Sequence, residues 1–390
     1  MVDVGVYGLH QASVTRSRSA TVQHRRIRGW NTPRDAALTL DADAALQALL
    51  LPVADGALAW PTRGGALFLH ARDGWPLHRQ PLPGLVCDTD WKPDADALSR
   101  SGLTVRTEAT RTDESQYPLV LLLPPRQREH ARESFARALA ATAPGGVVIA
   151  SMPNDEGAHS GEKDLARIAG PLHSLSKHHC RVFWSEPLSV PADPALAAEW
   201  LQGGAPRPIA GGRFTSRPGV FAWDRIDTAS ALLAAHLPRD LGGAGADLGA
   251  GYGYLASEVL MHCPAVAALD LYEADARALA LARANLAGAD ARAAVEFRWH
   301  DVASGVSGPY DFVITNPPFH AQGRSERPDL GRAFIAAAAD ALRDGGRLLL
   351  VANRHLPYES ELLARFDGVR TLAQQHGFKV IEATRRGPRR

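Results

Sequence analysis

Two short segments of this 390-residue chain carry residue types at spacings that chemistry can use. In the first, Ala246-Asp-Leu-Gly-Ala-Gly-Tyr-Gly-Tyr-Leu255, Asp247 stands directly before glycines at 249, 251 and 253. Glycine suits these places because the backbone must turn tightly and lie against a ligand, while the start of a following helix favours negative charge. Read as Gly251, Gly253 and Ala256, with Glu273 about twenty residues on, the loop also satisfies a dinucleotide-binding fingerprint. Asp247 separates the two readings. A carboxylate in a phosphate cradle repels pyrophosphate but pairs with the ammonium of an amino-acid moiety, and S-adenosylmethionine carries that ammonium and no phosphate.

The second segment is Asn316-Pro317-Pro318-Phe319, directly after the apolar run Phe312 to Thr315. An exocyclic amine on a planar ring is a poor nucleophile because its lone pair is delocalised. The side-chain oxygen of Asn316 and a neighbouring backbone carbonyl can accept its two hydrogens and turn the lone pair toward a methyl donor. Pro317 and Pro318 stiffen that geometry without competing N–H groups, and Phe319 is placed to stack on the base face. A sulfonium methyl is already activated, so the task is orientation and no metal is required.

The elements that must position these segments follow from periodicity. Short apolar runs at Ala246 to Leu248, Val266 to Leu271, Val295 to Trp299, Phe312 to Thr315 and Arg347 to Val351 read as strands alternating with helices, which predicts a parallel α/β sheet. One helix carries Leu330, Phe334, Ala337, Ala338, Ala341 and Leu342 before Gly345 and Gly346 stop it. Asn316 then falls at the carboxyl edge of the sheet, where open α/β folds bind ligands. The Gly/Pro-rich stretch Gln202 to Gly219 predicts a boundary between a first domain, residues 1–205, and a second, residues 213–390.

A faint internal repeat links the two. Tyr117-Pro-Leu-Val-Leu-Leu-Leu-Pro-Pro125, Phe135, Gly145-Gly146 and Val147 to Ala150 echo Tyr310-Asp-Phe-Val-Ile-Thr-Asn-Pro-Pro318, Phe334, Gly345-Gly346 and Arg347 to Val351. Leu123 stands where the second copy has Asn316, so the first half reads as a degenerate duplicate; common α/β grammar is the alternative.

Composition bounds the rest. Apolar residues at 45% and charged residues at 22% exclude extensive disorder, and a net charge of +1 offers no overall basic field. Only four of the 43 cations are lysines, and arginines gather at both ends: Arg16, Arg18, Arg25, Arg26 and Arg28, then Arg385, Arg386, Arg389 and Arg390. Such tails either anchor RNA phosphates or are solvated termini. No signal-like or membrane-length apolar run is present, predicting a cytoplasmic protein without membrane contact. Cys87, Cys180 and Cys263 are too scattered for a disulfide framework, and His173, His178, His179 and Cys180 match no zinc spacing. Neither a GxSxG elbow nor a GxxxxGK[ST] loop occurs.

Asp247, Gly249, Gly251 and Gly253 match in full the first motif, Asp-x-Gly-x-Gly-x-Gly, of the class I S-adenosylmethionine-dependent methyltransferases, and the chain resembles that family. The resemblance implies a Rossmann-like, mostly parallel seven-stranded sheet. It also implies that Glu273 accepts the ribose hydroxyls, with Asp270 and Asp275 as rivals, and that Asp301 accepts the adenine amino group, a turn-capping role being the alternative. S-adenosylhomocysteine would be the product. Asn-Pro-Pro-Phe serves family members acting on adenine N6, guanine N2 and protein glutamine. Phe319-His320, Val351-Ala-Asn-Arg-His-Leu-Pro-Tyr358 and Pro218-Gly-Val-Phe-Ala-Trp-Asp-Arg-Ile-Asp227 together resemble the bacterial ribosomal RNA guanine-N2 methyltransferases. Ser160-Gly-Glu-Lys163 and Lys177-His-His-Cys-Arg181 are closer to the small-subunit 16S type than to the large-subunit 23S type. On this likeness the partner is ribosomal RNA or a ribosomal subunit and the first half grips RNA; the sequence does not give the oligomeric state, a monomer being the favoured expectation. His320 takes up a proton, touches RNA or is an ordinary loop residue. A nicotinamide oxidoreductase and a non-catalytic RNA-binding assembly factor are the readings from other classes.

Overall fold

The computed structural model describes residues 33–111, 116–288, 292–318 and 328–387. The chain divides into two compact units, residues 1–40 and 41–390. Of the first, only the backbone from Pro33 is described, in the helix Pro33–Ala54. The second contains two sheets and a hairpin. Its strands are β1 (Ala66–Leu69), β2 (Leu85–Asp88), β3 (Thr104–Arg106), β4 (Tyr117–Leu122), β5 (Thr142–Pro153), β6 (Leu172–Lys177) and β7 (Cys180–Ser185). A short pair, β8 (Arg207–Ile209) and β9 (Phe214–Ser216), follows. The remainder are β10 (Gly242–Leu248), β11 (Ala265–Glu273), β12 (Ala294–Trp299), β13 (Tyr310–Thr315), β14 (Leu342–Asn353), β15 (Phe366–Gln375) and β16 (Phe378–Arg385).

The two large sheets have the same order, β3-β2-β1-β4-β5-β7-β6 and β12-β11-β10-β13-β14-β16-β15, with β7 and β16 the antiparallel insertions. This is the mostly parallel seven-stranded fold that the family resemblance implies, built twice. Neighbouring residues of a strand face opposite ways, so each central strand feeds two cores. Val313 and Leu348 pack with Phe334 and Ala338 on one face of the second sheet; Ile314 and Leu349 pack with Leu255 and Val259 on the other. The helix carrying Leu330 and Phe334 spans Pro328–Ala341. It stops one residue earlier than its apolar pattern suggested, because Leu342 pairs with Tyr310 as the first residue of β14. Strand β10 begins at Gly242, four residues before its apolar signal, since glycines pair without contributing hydrophobicity.

Register makes the duplication residue-specific. Ile314 lies opposite Asp247, and its repeat partner Leu121 lies opposite Phe68. Phe68, fully buried, therefore stands where the second copy has Asp247, and His70 stands where it has Gly249. The left-handed turn survives in both: His70 has φ 52° and Gly249 φ 75°. The same register puts Thr89 at the place of Glu273 and Leu123 at that of Asn316.

The loops after β2 and β11 meet. Trp91 and Asp275 form an antiparallel bridge, Lys92 N donates to Ala274 O at 2.8 Å, and Ala276 N donates to Asp90 O at 2.8 Å. These are equivalent residues of the two copies, so the contact has local twofold symmetry.

The stretch Gln202 to Gly219 is more than a turn-rich boundary. It contains the hairpin β8–β9, whose Ile209 and Phe214 bury against Tyr252, Ala278 and Leu281 of the second half. Its strands are three residues each, too short to show a period. The Lys177 to Arg181 motif forms the β6–β7 turn, with His178 and His179 at φ 52° and 57°. Arg181 binds Glu162 of the Ser160 to Lys163 motif through Nε and Nη2. His173 instead hydrogen-bonds Glu186 and stacks on Trp184. All three cysteines are buried. The carboxyl-terminal basic cluster is partly built in: Arg385 ends β16 and Arg386 pairs with Asp367 at 2.9 Å. Arg389, Arg390 and the amino-terminal arginines Arg16, Arg18, Arg25, Arg26 and Arg28 lie outside the described residues.

Candidate active site

The candidate residues gather at the carboxyl ends of four adjacent parallel strands, β12, β11, β10 and β13. Adjacent ends are tied to one another. Thr315 Oγ1 donates to Leu248 O at 2.7 Å, Gly249 N and Ala250 N donate to Tyr272 O, and His300 N donates to Glu273 O at 2.9 Å. Gly251 and Gly253 take left-handed φ of 55° and 91°. A Cβ on Gly253 would crowd Ala282 at 3.2 Å, whereas one on Gly251 would enter open space. The first glycine constraint is packing against the helix Ala276–Asn285; the second is conformation alone.

Asp247 is fully buried, and neither of its carboxylate oxygens closes a hydrogen bond of normal geometry with any of the described residues. Burial pushes its carboxyl from the usual 3.8 up to about 8, reinforced by the charge of Glu273 and only partly offset by the Ala256 amide. Glu273 is buried too, and burial pushes it from 4.5 to about 7 against the pull of backbone amides. Its Oε2 accepts from Gly251 N at 2.7 Å and its Oε1 from Asp275 N at 2.8 Å, so it latches the glycine loop. Buried polar atoms are normally satisfied, and two orphaned acceptors on one residue mark a place prepared for a cationic donor. An amino-acid ammonium fits that requirement.

The rivals for Glu273 are otherwise engaged. Asp270 accepts from Arg298 and Tyr310; Asp275 caps the helix Ala276–Asn285 and binds Arg277 through both oxygens. Asp301 lies at the end of β12, where its Oδ1 accepts from Ala303 N at 3.0 Å. Asn316 is half-buried and Pro317 buried beyond the end of β13. The Asn316 Nδ2 group donates to Asp227 Oδ2 at 3.1 Å and to Ser230 Oγ at 2.9 Å. Neither partner was singled out from the sequence. Asp227 is legible there as a helix cap before the apolar Ala229 to Leu233, but its reach across the sheet edge has no local signal. Phe319 and His320 lie outside the described residues.

The corresponding edge of the first sheet is filled. Asp88 accepts from Arg106 Nε, from Arg111 Nε and Nη2 and from Arg137 Nη2; Asp90 accepts from Arg111 Nη2 and Glu108 N. Burial alone would raise Asp88, but Arg111, Arg137 and Arg106 hold it down at about 2. His70 hydrogen-bonds Ser134 at 2.8 Å and sets its ring edge-on to His130. Burial, then Arg137 and Arg277, push His70 down to about 3. His130 is likewise held neutral, and its Nε2 accepts from Arg277 Nη1 of the second half at 2.6 Å.

The family described as Methyltransferase small domain matches residues 211–382. The ribosomal RNA small subunit methyltransferase C of Pseudomonas paraeruginosa is 33% identical over 280 residues, covering 71% of this chain and 82% of that protein. Its counterpart from Psychromonas ingrahamii is 28% identical over 318 residues, covering 79% and 88%. Among solved structures, the T. thermophilus 16S rRNA N2 methyltransferase in complex with AdoMet and guanosine aligns with a TM-score of 0.70 at 27% identity, covering 86% of this chain and 92% of that one.

Proposed function

This chain belongs to the ribosomal RNA small subunit methyltransferase C family, and from that premise we propose that it transfers a methyl group from S-adenosylmethionine to the exocyclic N2 amine of a guanine in 16S ribosomal RNA. The observation that carries the reading is the orphaned, buried carboxylate of Asp247 one strand away from Asn316-Pro317-Pro318. S-adenosylmethionine, when bound, supplies a methyl group already activated by its sulfonium. Asp247 takes the ammonium, Glu273 the ribose hydroxyls and Asp301 the adenine amino group, while Gly249, Gly251 and Gly253 let the backbone lie close. Asn316 Oδ1 and the Pro317 carbonyl accept the amine hydrogens and aim its lone pair; Pro318 stiffens the turn and Phe319 stacks on the guanine. A paired or stacked guanine is out of reach, so the base enters unstacked or flipped.

The chemistry belongs to residues 213–390 and RNA recognition to residues 1–205, whose own cofactor place is occupied by Phe68, His70 and the Asp88 arginines. The substrate nucleotide is position 1207, the one the T. thermophilus enzyme is named for. The protein acts as a cytoplasmic monomer; among the described residues no helix is long and apolar enough to cross a membrane. The test is transfer of labelled methyl to 30S subunits, 50S subunits and naked 16S RNA lacking the modification, followed by nucleoside analysis and mapping. N2-methylguanosine in 16S RNA is expected. Label in protein or in 23S RNA, or none despite cofactor binding, overturns it.

A further inference from the structure

The helix Thr228–Ala235 begins beside the sheet edge, and its cap is shared with the Asn-Pro-Pro turn. Asp227 Oδ2 accepts from Ser230 N at 2.8 Å, the ordinary work of a helix N-cap, and from Asn316 Nδ2 at 3.1 Å. Ser230 Oγ, buried at 8% exposure, accepts from the same Nδ2 at 2.9 Å. An amide nitrogen has two hydrogens, and both are thereby engaged. Since a carboxylate only accepts, the reverse orientation would set Asn316 Oδ1 against Asp227, losing that hydrogen bond and introducing repulsion; the Ser230 hydroxyl can serve either orientation, so Asp227 sets the sense of the amide.

We propose that Asp227 and Ser230 are positioning residues that lock the Asn316 amide with its oxygen toward the substrate amine. Asparagine is nearly symmetric in shape, and an unclamped side chain would present an NH2 group to the guanine amine in part of the population, donor against donor. The clamp removes that population before substrate arrives. Acceptance by a charged partner also polarises the amide and makes Oδ1 a stronger acceptor. This inference rests on the reading of Asn316 as the group that holds the amine.

The test separates capping from clamping. Asp227→Ser keeps a good N-cap with a side chain one bond shorter, out of reach of Asn316. Asp227→Asn keeps an acceptor oxygen at the original reach. With 30S subunits as substrate, Asp227→Ser is expected to lower kcat by about 10- to 100-fold with S-adenosylmethionine affinity and Tm unchanged, Ser230→Ala to lower it by less, and Asp227→Asn to recover most of the loss. In an Asn316→Ala background, Asp227→Ser should cost nothing further. A kcat within twofold of wild type in Asp227→Ser, or parallel losses of Tm and cofactor affinity, overturns the proposal. A readout independent of turnover is the side-chain amide of Asn316 in protein labelled with 15N-asparagine, assigned by Asn316→Ala. Its hydrogen exchange should be slow and should accelerate in Asp227→Ser; unchanged exchange overturns the clamp. Wild-type protein that forms no N2-methylguanosine would instead defeat the parent reading, with the amide signal still deciding this one.

Discussion

The two sheets carry the same strand order and the same left-handed turn after the first strand, yet their carboxyl edges are electrostatic opposites. In the first, the acids at the end of β2 have cations: Asp88 sits among Arg106, Arg111 and Arg137, its carboxyl held down at about 2, and Asp90 binds Arg111. In the second, Asp247 has no cation beside it among the described residues, and burial pushes it up to about 8. The first arrangement is that of a region that has satisfied itself; the second is costly in isolation, and on the proposed reading the ligand's ammonium offsets that cost. Shared architecture thus says where a site would be, and the unsatisfied group says which copy still has one.

That contrast can be broken at several points. Asn316→Ala should reduce turnover about a thousandfold with cofactor affinity retained, whereas Leu123→Ala at the matching place should leave kcat alone; methyl transfer and calorimetry on both variants decide it. Asp88→Ala should strand buried arginines and lower stability by about 3 kcal/mol, visible in chemical unfolding, without changing the S-adenosylmethionine Kd. Asp247→Asn should show the reverse pattern, with Kd weakened about a hundredfold and stability maintained or raised. If both substitutions act alike on Kd, the division between a satisfied and an open edge is wrong.

The smallest effect is on pH dependence. Asp247 and Glu273 hold protons more tightly folded than unfolded, so their contribution is fully present below the usual 3.8 and 4.5 and is lost as pH rises through about 8 and about 7, respectively. Asp88 acts in the other sense, stabilising above 3.8 and failing only as pH falls toward 2. Melting of the ligand-free protein between pH 5 and pH 9 should therefore slope downward, and Asp247→Asn should flatten the slope. A slope untouched by that substitution would place its origin elsewhere.

The elements of the second half were legible because their signals are local: apolar runs bounded by glycine and proline, a strand-ending aspartate, an Asn-Pro-Pro turn. Even the duplication showed, since Tyr117 to Pro125 and Tyr310 to Pro318 keep their spacing. What escaped were features that exist only across the fold. Phe68 gives no hint in sequence that it replaces an aspartate; the strand register reveals it. The glycines at the start of β10 hide where that strand begins, and three-residue strands hide the hairpin at Phe214. Asp227 looks like an ordinary cap until Asn316, 89 positions later, is seen to lean on it.

The bridge between Trp91 and Asp275 has a further consequence. Both of its hydrogen bonds run from main chain to main chain, so neither depends on which side chain happens to occupy the contact. A joint of that kind is blind to spelling. The first copy could lose its aspartate, its asparagine and its glycines one after another, and the grip on its sister would not register the change.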